Sequence, residues 1–190
     1  MFEILEPPLR MRPIILTHSG NYFDFLNPQD SVILIGDIAW ALSHICRFTG
    51  HVSERYSVGQ HSLLVSSIVP PEDALAGLLH DAAEAYLGDV SSPLKQLLPE
   101  YKVLEERVEQ AIFKTFGLPE KLPKSVKHAD LVLLATEKRD LLPKHTETEW
   151  RLLDGIEPLS LRIQPYSPEI IRKEFLARFN DLFYLESLPL

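Results

Sequence analysis

The segment Leu78-Leu79-His80-Asp81-Ala82-Ala83-Glu84-Ala85-Tyr86-Leu87-Gly88-Asp89 places an imidazole and three carboxylates in a stretch made mostly of Leu, Ala and Tyr. Read as one helix from about Asp73 to Leu87, closed by Gly88, it aligns Ala76, Leu79, His80, Ala83 and Leu87 on a single apolar stripe. His80 then faces the interior, Asp81 lies one step round the helix, and Glu84 sits one turn above His80. Burying ionisable groups without partners is costly, so such a cluster calls for a counter-charge or a cation. A divalent cation held by His80 and Asp81, with Glu84 beside its open side, answers that demand. The plain alternative is a partly exposed helix end whose carboxylates are solvated, and a His-Asp dipeptide alone does not decide between them.

Two further positions add weight. Ser57 is placed to cap a helix running to about Val69, on which His61, Leu64, Val65 and Ile68 share a stripe. From about Ser125 to Leu142 another helix sets Val126, Asp130, Leu133, Leu134, Glu137 and Leu141 on its inner face. Taken singly, His61 reads as a hydrogen-bonded core histidine and Asp130 as the partner of Arg139 or Arg151. Taken together, three helices each offer an inward ligand type. Two imidazoles and two carboxylates suit one borderline or hard divalent ion (Co, Mn, Zn, Ni, Fe or Mg), with room for water and a substrate oxygen. Glu137 shares the stripe of Asp130, and the sequence leaves open whether it supports a ligand or pairs with an arginine.

The elements that must carry these residues are mostly helical. Residues 1–13 read as irregular, with Pro7, Pro8 and Pro13. Ile14 to Thr17 and Tyr22 to Phe25 flank His18-Ser19-Gly20-Asn21 as a hairpin, and Ile33 to Ile35 as a short extra strand. Asp37 is placed to cap a helix through Ile38 and Leu42 to about Arg47-Phe48. After the loop from Thr49 to Tyr56 come the three helices already named, and between them an amphipathic helix from about Lys102 to Phe116, closed by Gly117. Residues 144–166 are loop-rich, and Ser167-Pro168 opens a last helix with Ile171, Phe175, Phe179 and Leu182 inward. The expected architecture is an all-α helical bundle with a small N-terminal β-hairpin, a single domain over 1–190: extension 1–36, core 37–142, C-terminal loop and helix 143–190.

Composition bounds the function. The 190-residue chain carries a formal charge of −8, with 45% hydrophobic and 24% charged residues, as expected of a soluble globular domain. That acidity argues against a nucleic-acid polymer or membrane surface as partner. The single cysteine, Cys46, excludes an internal disulfide and fits a reducing compartment. With no signal-peptide pattern and no long apolar run, a cytoplasmic location is expected.

Four blocks resemble one known group, the HD-domain metal-dependent phosphohydrolases, and within it the small bacterial and phage nucleotidase-like members. They are Ser57-Val58-Gly59-Gln60-His61-Ser62, Leu79 to Asp89, Ser92-Pro93-Leu94-Lys95 and His128-Ala129-Asp130, within residues 37–142. The resemblance implies an HD-type helical bundle in which His61, His80, Asp81 and Asp130 ligate the metal. It implies that Glu84 positions or deprotonates the attacking water and that Asp89 is an acidic residue at the substrate end. Arg47 and Phe48 correspond to an Arg-aromatic pair that contacts the nucleotide, and Lys95 to a cation on the phosphate side. The implied reaction is hydrolysis of a small-molecule nucleotide, foremost a 5′-deoxynucleoside monophosphate. Triphosphate release from a dNTP is the near alternative, and a non-catalytic metal-stabilised nucleotide-sensing module the distant one. A homo-oligomer, foremost a dimer, is expected with it. No Gly-Tyr-Pro follows the His-Asp pair, which argues against the cyclic-dinucleotide phosphodiesterase branch.

Phe48 and Tyr56 are the aromatics placed to stack on a base, against plain core packing as the alternative. His18, His44, His51, His128 and His145 have no partner at ligand spacing, His51 alone standing in the loop beside Arg47. Cys46 reads as a packing residue.

Overall fold

A computed structural model describes residues 12–144 and 150–185. The proline-rich start (Pro7, Pro8) and His145 lie outside the described residues. The described chain is mostly helical, with a small antiparallel hairpin near its N-terminus.

Strands β1 (Ile14–Leu16) and β2 (Tyr22–Asp24) pair with Ile15 opposite Phe23. Gly20 takes φ +84 in the connecting turn, a left-handed conformation suited to glycine. The turn is fastened to the first helix, α1 (Ile35–His44): Ser19 donates its backbone N–H and its hydroxyl to the two Asp37 oxygens, each at 2.7 Å. Asp37 is therefore not the cap expected of it. The helix begins two residues earlier, and its first-turn carboxylate, favoured there by the helix dipole, pins the hairpin instead. No third strand forms over 33–35 either. Ile33 is a buried anchor and Ile35 opens α1, because a short apolar run carries no period by which strand and core anchor differ. The helix stops at His44, short of Arg47. Ile45 turns extended, and Cys46 bridges antiparallel to Ser57, with Arg47 donating to the Tyr56 carbonyl and Val58 to that of Ile45.

Ser57 caps α2 (Val58–Ile68), its hydroxyl accepting from the Gln60 N–H at 3.2 Å. The expected helix over 73–87 is interrupted. It splits into α3 (Ala74–Leu79) and α4 (Glu84–Leu87). Between them Ala82, Glu84, Ala85 and Tyr86 donate to carbonyls three residues back, a tightened 3₁₀ pattern of the kind that marks functional positions in helices. Gly88 closes α4 at φ +79, its N–H donating to the Glu84 carbonyl. The connection holding Lys95 forms a single helical turn, α5 (Ser92–Lys95). Next, α6 (Pro99–Phe116) starts three residues before the expected point, because proline is pre-set for a first helical turn. It ends at left-handed Gly117 as expected. The last two helices are α7 (Lys124–Leu141) and α8 (Pro168–Leu185), with Ile171, Phe175 and Phe179 of α8 buried.

Two apolar clusters hold these elements. Phe23, Leu42, Leu79, Ile112 and Phe175 belong to one, Val65, Ala76, Val126 and Leu133 to the other, and α2 and α3 send side chains into both. Glycines bring helices close to α2. A Cβ on Gly59 would meet the Leu42 carbonyl carbon at 3.2 Å, and one on Gly77 would meet Ser66 Cα at 3.2 Å and Ser66 N at 3.3 Å. Bare backbone at Gly77 therefore lets α3 lie against α2, the arrangement that brings His80 to His61.

Gly77→Ala tests this. Helix propensity alone would favour alanine by about 1 kcal/mol. The new methyl instead meets backbone that cannot swing aside, so a net loss of about 1–3 kcal/mol is expected in thermal unfolding. A variant more stable than the wild type would show that the α2–α3 contact has slack.

Candidate metal centre

The interior of the fold gathers the residues that the sequence singled out. His61, on the second turn of α2, is fully buried, and its Nδ1 donates to Glu137 Oε1 of α7 at 2.7 Å. His80, where α3 begins to tighten, donates its Nδ1 to the Gly77 carbonyl at 2.9 Å. With both Nδ1 atoms engaged as donors, the lone pair of each neutral ring lies on Nε2. They face each other at 3.3 Å. Two lone pairs so opposed repel unless a positive charge lies between or beside them.

The carboxylates close around that point. Asp81 Oδ2 lies 3.2 Å from His80 Nε2 and 3.7 Å from His61 Nε2. Asp130 Oδ1 approaches His61 Nε2 to 3.2 Å. His61, His80 and Asp130 offer ligand atoms all within 4.8 Å of one another and could hold a metal ion. The four expected ligands thus converge from α2, the α3–α4 turn and α7. Asp130 departs from the core placement expected of it: its side chain is 41% exposed, so the inner stripe of α7 reaches solvent at the mouth of the site. Neither arginine proposed for Asp130 pairs with it. Arg139 binds Asp140 and the carbonyls of Leu159 and Leu161, and Arg151 starts a helical turn in the loop.

The electrostatics are those of tightly coupled buried charges. Burial opposes the charge on Asp81, but His80, His61 and Arg47 together hold its carboxyl well below the usual range. Burial and the nearby Arg47 disfavour a charged His61, and Glu137 and Asp130 outweigh them, raising its pKa to about 9. The donor set is chemically suited to a divalent ion, since neutral imidazole and carboxylate are its ordinary ligands. A proton on His61 is what such an ion would replace.

Glu84 stands at the start of α4, buried to 6% exposure, and its Oε2 has no hydrogen-bond partner. Burial first, then Asp81 and Asp89, push its carboxyl well above the usual range. Lys95 Nζ is 3.8 Å from Glu84 Oε1 and also pairs with Glu105 of α6. Asp89, half-buried just past Gly88, is raised chiefly by burial. Arg47 is drawn inward. Its Nε and Nη2 donate to Glu137 Oε2 at 3.2 and 3.0 Å, and its Nη1 lies 3.5 Å from Asp81 Oδ2. The guanidinium also sits 5.3 Å from the Phe48 ring centroid. Phe48 and Thr49 hold φ of +55 and +53 ahead of Gly50 at +82, a conformation costing non-glycine residues about 1–2 kcal/mol each. Tyr56 is not free to stack on a ligand: it is fully buried beside Glu137.

Sequence reading missed three participants. Glu105 and Glu109 of α6 face the same region, and burial, then Glu105 and Asp81, raise Glu109 to about 7. Tyr101 of α6 packs on Lys95, whose Nζ is 5.8 Å from its ring centroid. Their four-residue spacings (Tyr101, Glu105, Glu109) were the available signal, indistinguishable from a solvated helix face without knowing what α6 packs against.

A mostly helical protein in which a buried histidine pair and one carboxylate, His61, His80 and Asp130, could hold a metal ion is thus the class defined by fold and site. No family model matches the chain. It is 46% identical over 171 residues to the uncharacterized protein YfdR of Escherichia coli K12, covering 88% of this chain and 94% of that protein. It is 33% identical over 183 residues to an uncharacterized protein of Rhodobacter capsulatus, covering 86% and 92%. The chain belongs to the family of the YfdR protein. Among the described residues no helix is long and apolar enough to cross a membrane.

The His61 charge has a signed consequence. A pKa raised from 6.5 to about 9 contributes stability that is whole below about pH 6.5 and lost as pH rises through about 9. Metal-free protein should therefore unfold at progressively lower temperature from pH 6.5 to 9.5. Saturating divalent metal should abolish this slope by replacing the proton. A melting temperature independent of pH in the metal-free protein would contradict it.

Proposed function

We propose that this protein is an HD-domain metal-dependent phosphohydrolase acting on nucleotide phosphoesters, foremost 5′-deoxynucleoside monophosphates. The observation that carries the reading is the convergence of two lone-pair imidazole nitrogens and two carboxylates beside a buried, unpartnered Glu84 oxygen. A structural cation site has no need of that last feature.

His61, His80, Asp81 and Asp130 would hold one divalent cation, which supplies Lewis acidity at the phosphoryl group and at water. Glu84 Oε2, with no partner of its own, accepts a proton from the attacking water and aims its lone pair at phosphorus. Burial, Asp81 and Asp89 raise its pKa and so strengthen it as a base, and cationic charge at Asp81 offsets one of those repulsions. Lys95, beside Glu84, steadies that carboxylate and lies near the departing charge. Arg47 keeps one edge on Glu137 and turns Nη1 toward the cluster, where it meets a phosphate oxygen. Phe48, held against Arg47, offers a face for a base. Asp89, whose charge acts on Glu84 and whose carboxyl burial raises, is proposed as the acid for the leaving oxygen.

Charge favours a monophosphate over a triphosphate. Arg47 and Lys95 are both already engaged by carboxylates. The array of Asp81, Glu84, Asp89 and Asp130 leaves little positive potential for a polyanion once a single cation is shared.

Glu84→Gln should keep its full metal content while phosphate release from deoxynucleoside monophosphates falls at least about 100-fold. Turnover within about tenfold of wild type would contradict the assigned role. Triphosphate assayed in parallel should be the poorer substrate.

A further inference from the structure

Glu137 lies outside the cluster, yet each of its oxygens is committed to a different part of it. Oε1 accepts from Nδ1 of His61 at 2.7 Å, and Oε2 accepts from Nε and Nη2 of Arg47 at 3.2 and 3.0 Å. Glu137 and His61 are both fully buried, and the Arg47 side chain is 12% exposed. A carboxylate buried this fully depends on the groups packed against it, here His61 and Arg47 with Tyr56 beside them. The third contact closes a loop: Arg47 Nη1 sits 3.5 Å from Asp81 Oδ2, the oxygen that also faces His80 and His61. The guanidinium is thus stretched between Glu137, behind the cluster, and Asp81, within it.

We propose that Glu137 is a positioning residue that makes cation binding and phosphate binding at this site one linked event. The inference rests on the metal-site reading above. With the Nε–Nη2 edge held by Glu137, a cation that engages Asp81 releases only Nη1, leaving it aimed into the site for a phosphate oxygen. Without Glu137 the guanidinium turns fully onto Asp81 and competes with the cation, while His61 loses the acceptor that fixes its tautomer. Linkage is reciprocal. The cation tightens phosphate binding, phosphate tightens cation binding, and both effects vanish with Glu137. A carboxylate that merely neutralised a buried arginine would give neither.

The test is calorimetric titration with Co²⁺, and with inorganic phosphate in the presence and absence of Co²⁺, on wild type, Glu137→Gln, Arg47→Gln and the double variant. Glu137→Gln should weaken Co²⁺ about 10–100-fold and change the visible Co²⁺ spectrum. Wild type should bind phosphate at least tenfold more tightly when loaded, and Glu137→Gln should lose that gain. Adding Arg47→Gln to Glu137→Gln should cost less than threefold more in phosphate affinity. Glu137→Asp keeps the charge but cannot reach both partners, so it should fold and show the same loss of coupling. Co²⁺ and phosphate affinities within twofold of wild type in either Glu137 variant, or additive effects in the double variant, would overturn the inference while leaving the metal site standing. Wild-type protein that takes up no Co²⁺ would overturn the metal-site reading, and this inference with it.

Discussion

Two imidazole Nε2 atoms, the lone-pair nitrogens of the neutral rings, are held 3.3 Å apart in the interior. Nothing about apolar packing asks for this. Each ring is fixed from behind, His61 by Glu137 and His80 by the Gly77 carbonyl, so neither can turn its Nδ1–H toward the other. The arrangement is stable only with positive charge at the junction, and Asp81 and Asp130 draw that charge in from the open side. Much of the chain serves this one constraint. Gly77 lets α3 lie against the Ser66 backbone of α2. The Ser57 cap fixes where α2 starts, and the tightened backbone after Leu79 sets His80 and Asp81 on the same point.

Around that point charge is graded from within outward. Glu137 is sealed behind His61, Asp81 and Glu84 line the floor, and Asp130 reaches the mouth. The cations Arg47 and Lys95 each bridge a floor carboxylate and one outside it, Arg47 between Asp81 and Glu137, Lys95 between Glu84 and Glu105. Such bridges keep buried carboxylates ionisable without filling the coordination space, because long basic side chains approach from the edges. The strained Phe48–Thr49 backbone lies beside the Arg47 bridge, consistent with strain being tolerated where a side chain must be aimed.

Much of this was legible in the sequence. Helical periodicity placed α2, α6, α7 and α8 to within a few residues and turned His61, His80 and Glu137 inward, because an apolar stripe reports a core directly. The hairpin was legible from its Ser-Gly-Asn turn. What escaped depended on partners distant in sequence. Asp37 looks like a helix cap from its neighbours, but Ser19, eighteen residues earlier, claims both of its oxygens. The break after Leu79 was hidden because repeats of 3.0 and 3.6 residues scarcely diverge over one turn. Tyr56 could stack on a ligand as far as composition tells, and the fold buries it in the apolar cluster it shares with α7. The partner of Glu137 was open between a ligand and an arginine, and the fold supplies both.

X-ray absorption on protein loaded with one equivalent of Co²⁺ would read the ligands of the cation themselves. A nitrogen and oxygen shell that includes two imidazoles is expected, reduced to one in His61→Ala, with scattering otherwise from carboxylate and water oxygens. A shell containing a single imidazole in the wild type, or one unchanged by His61→Ala, would contradict it.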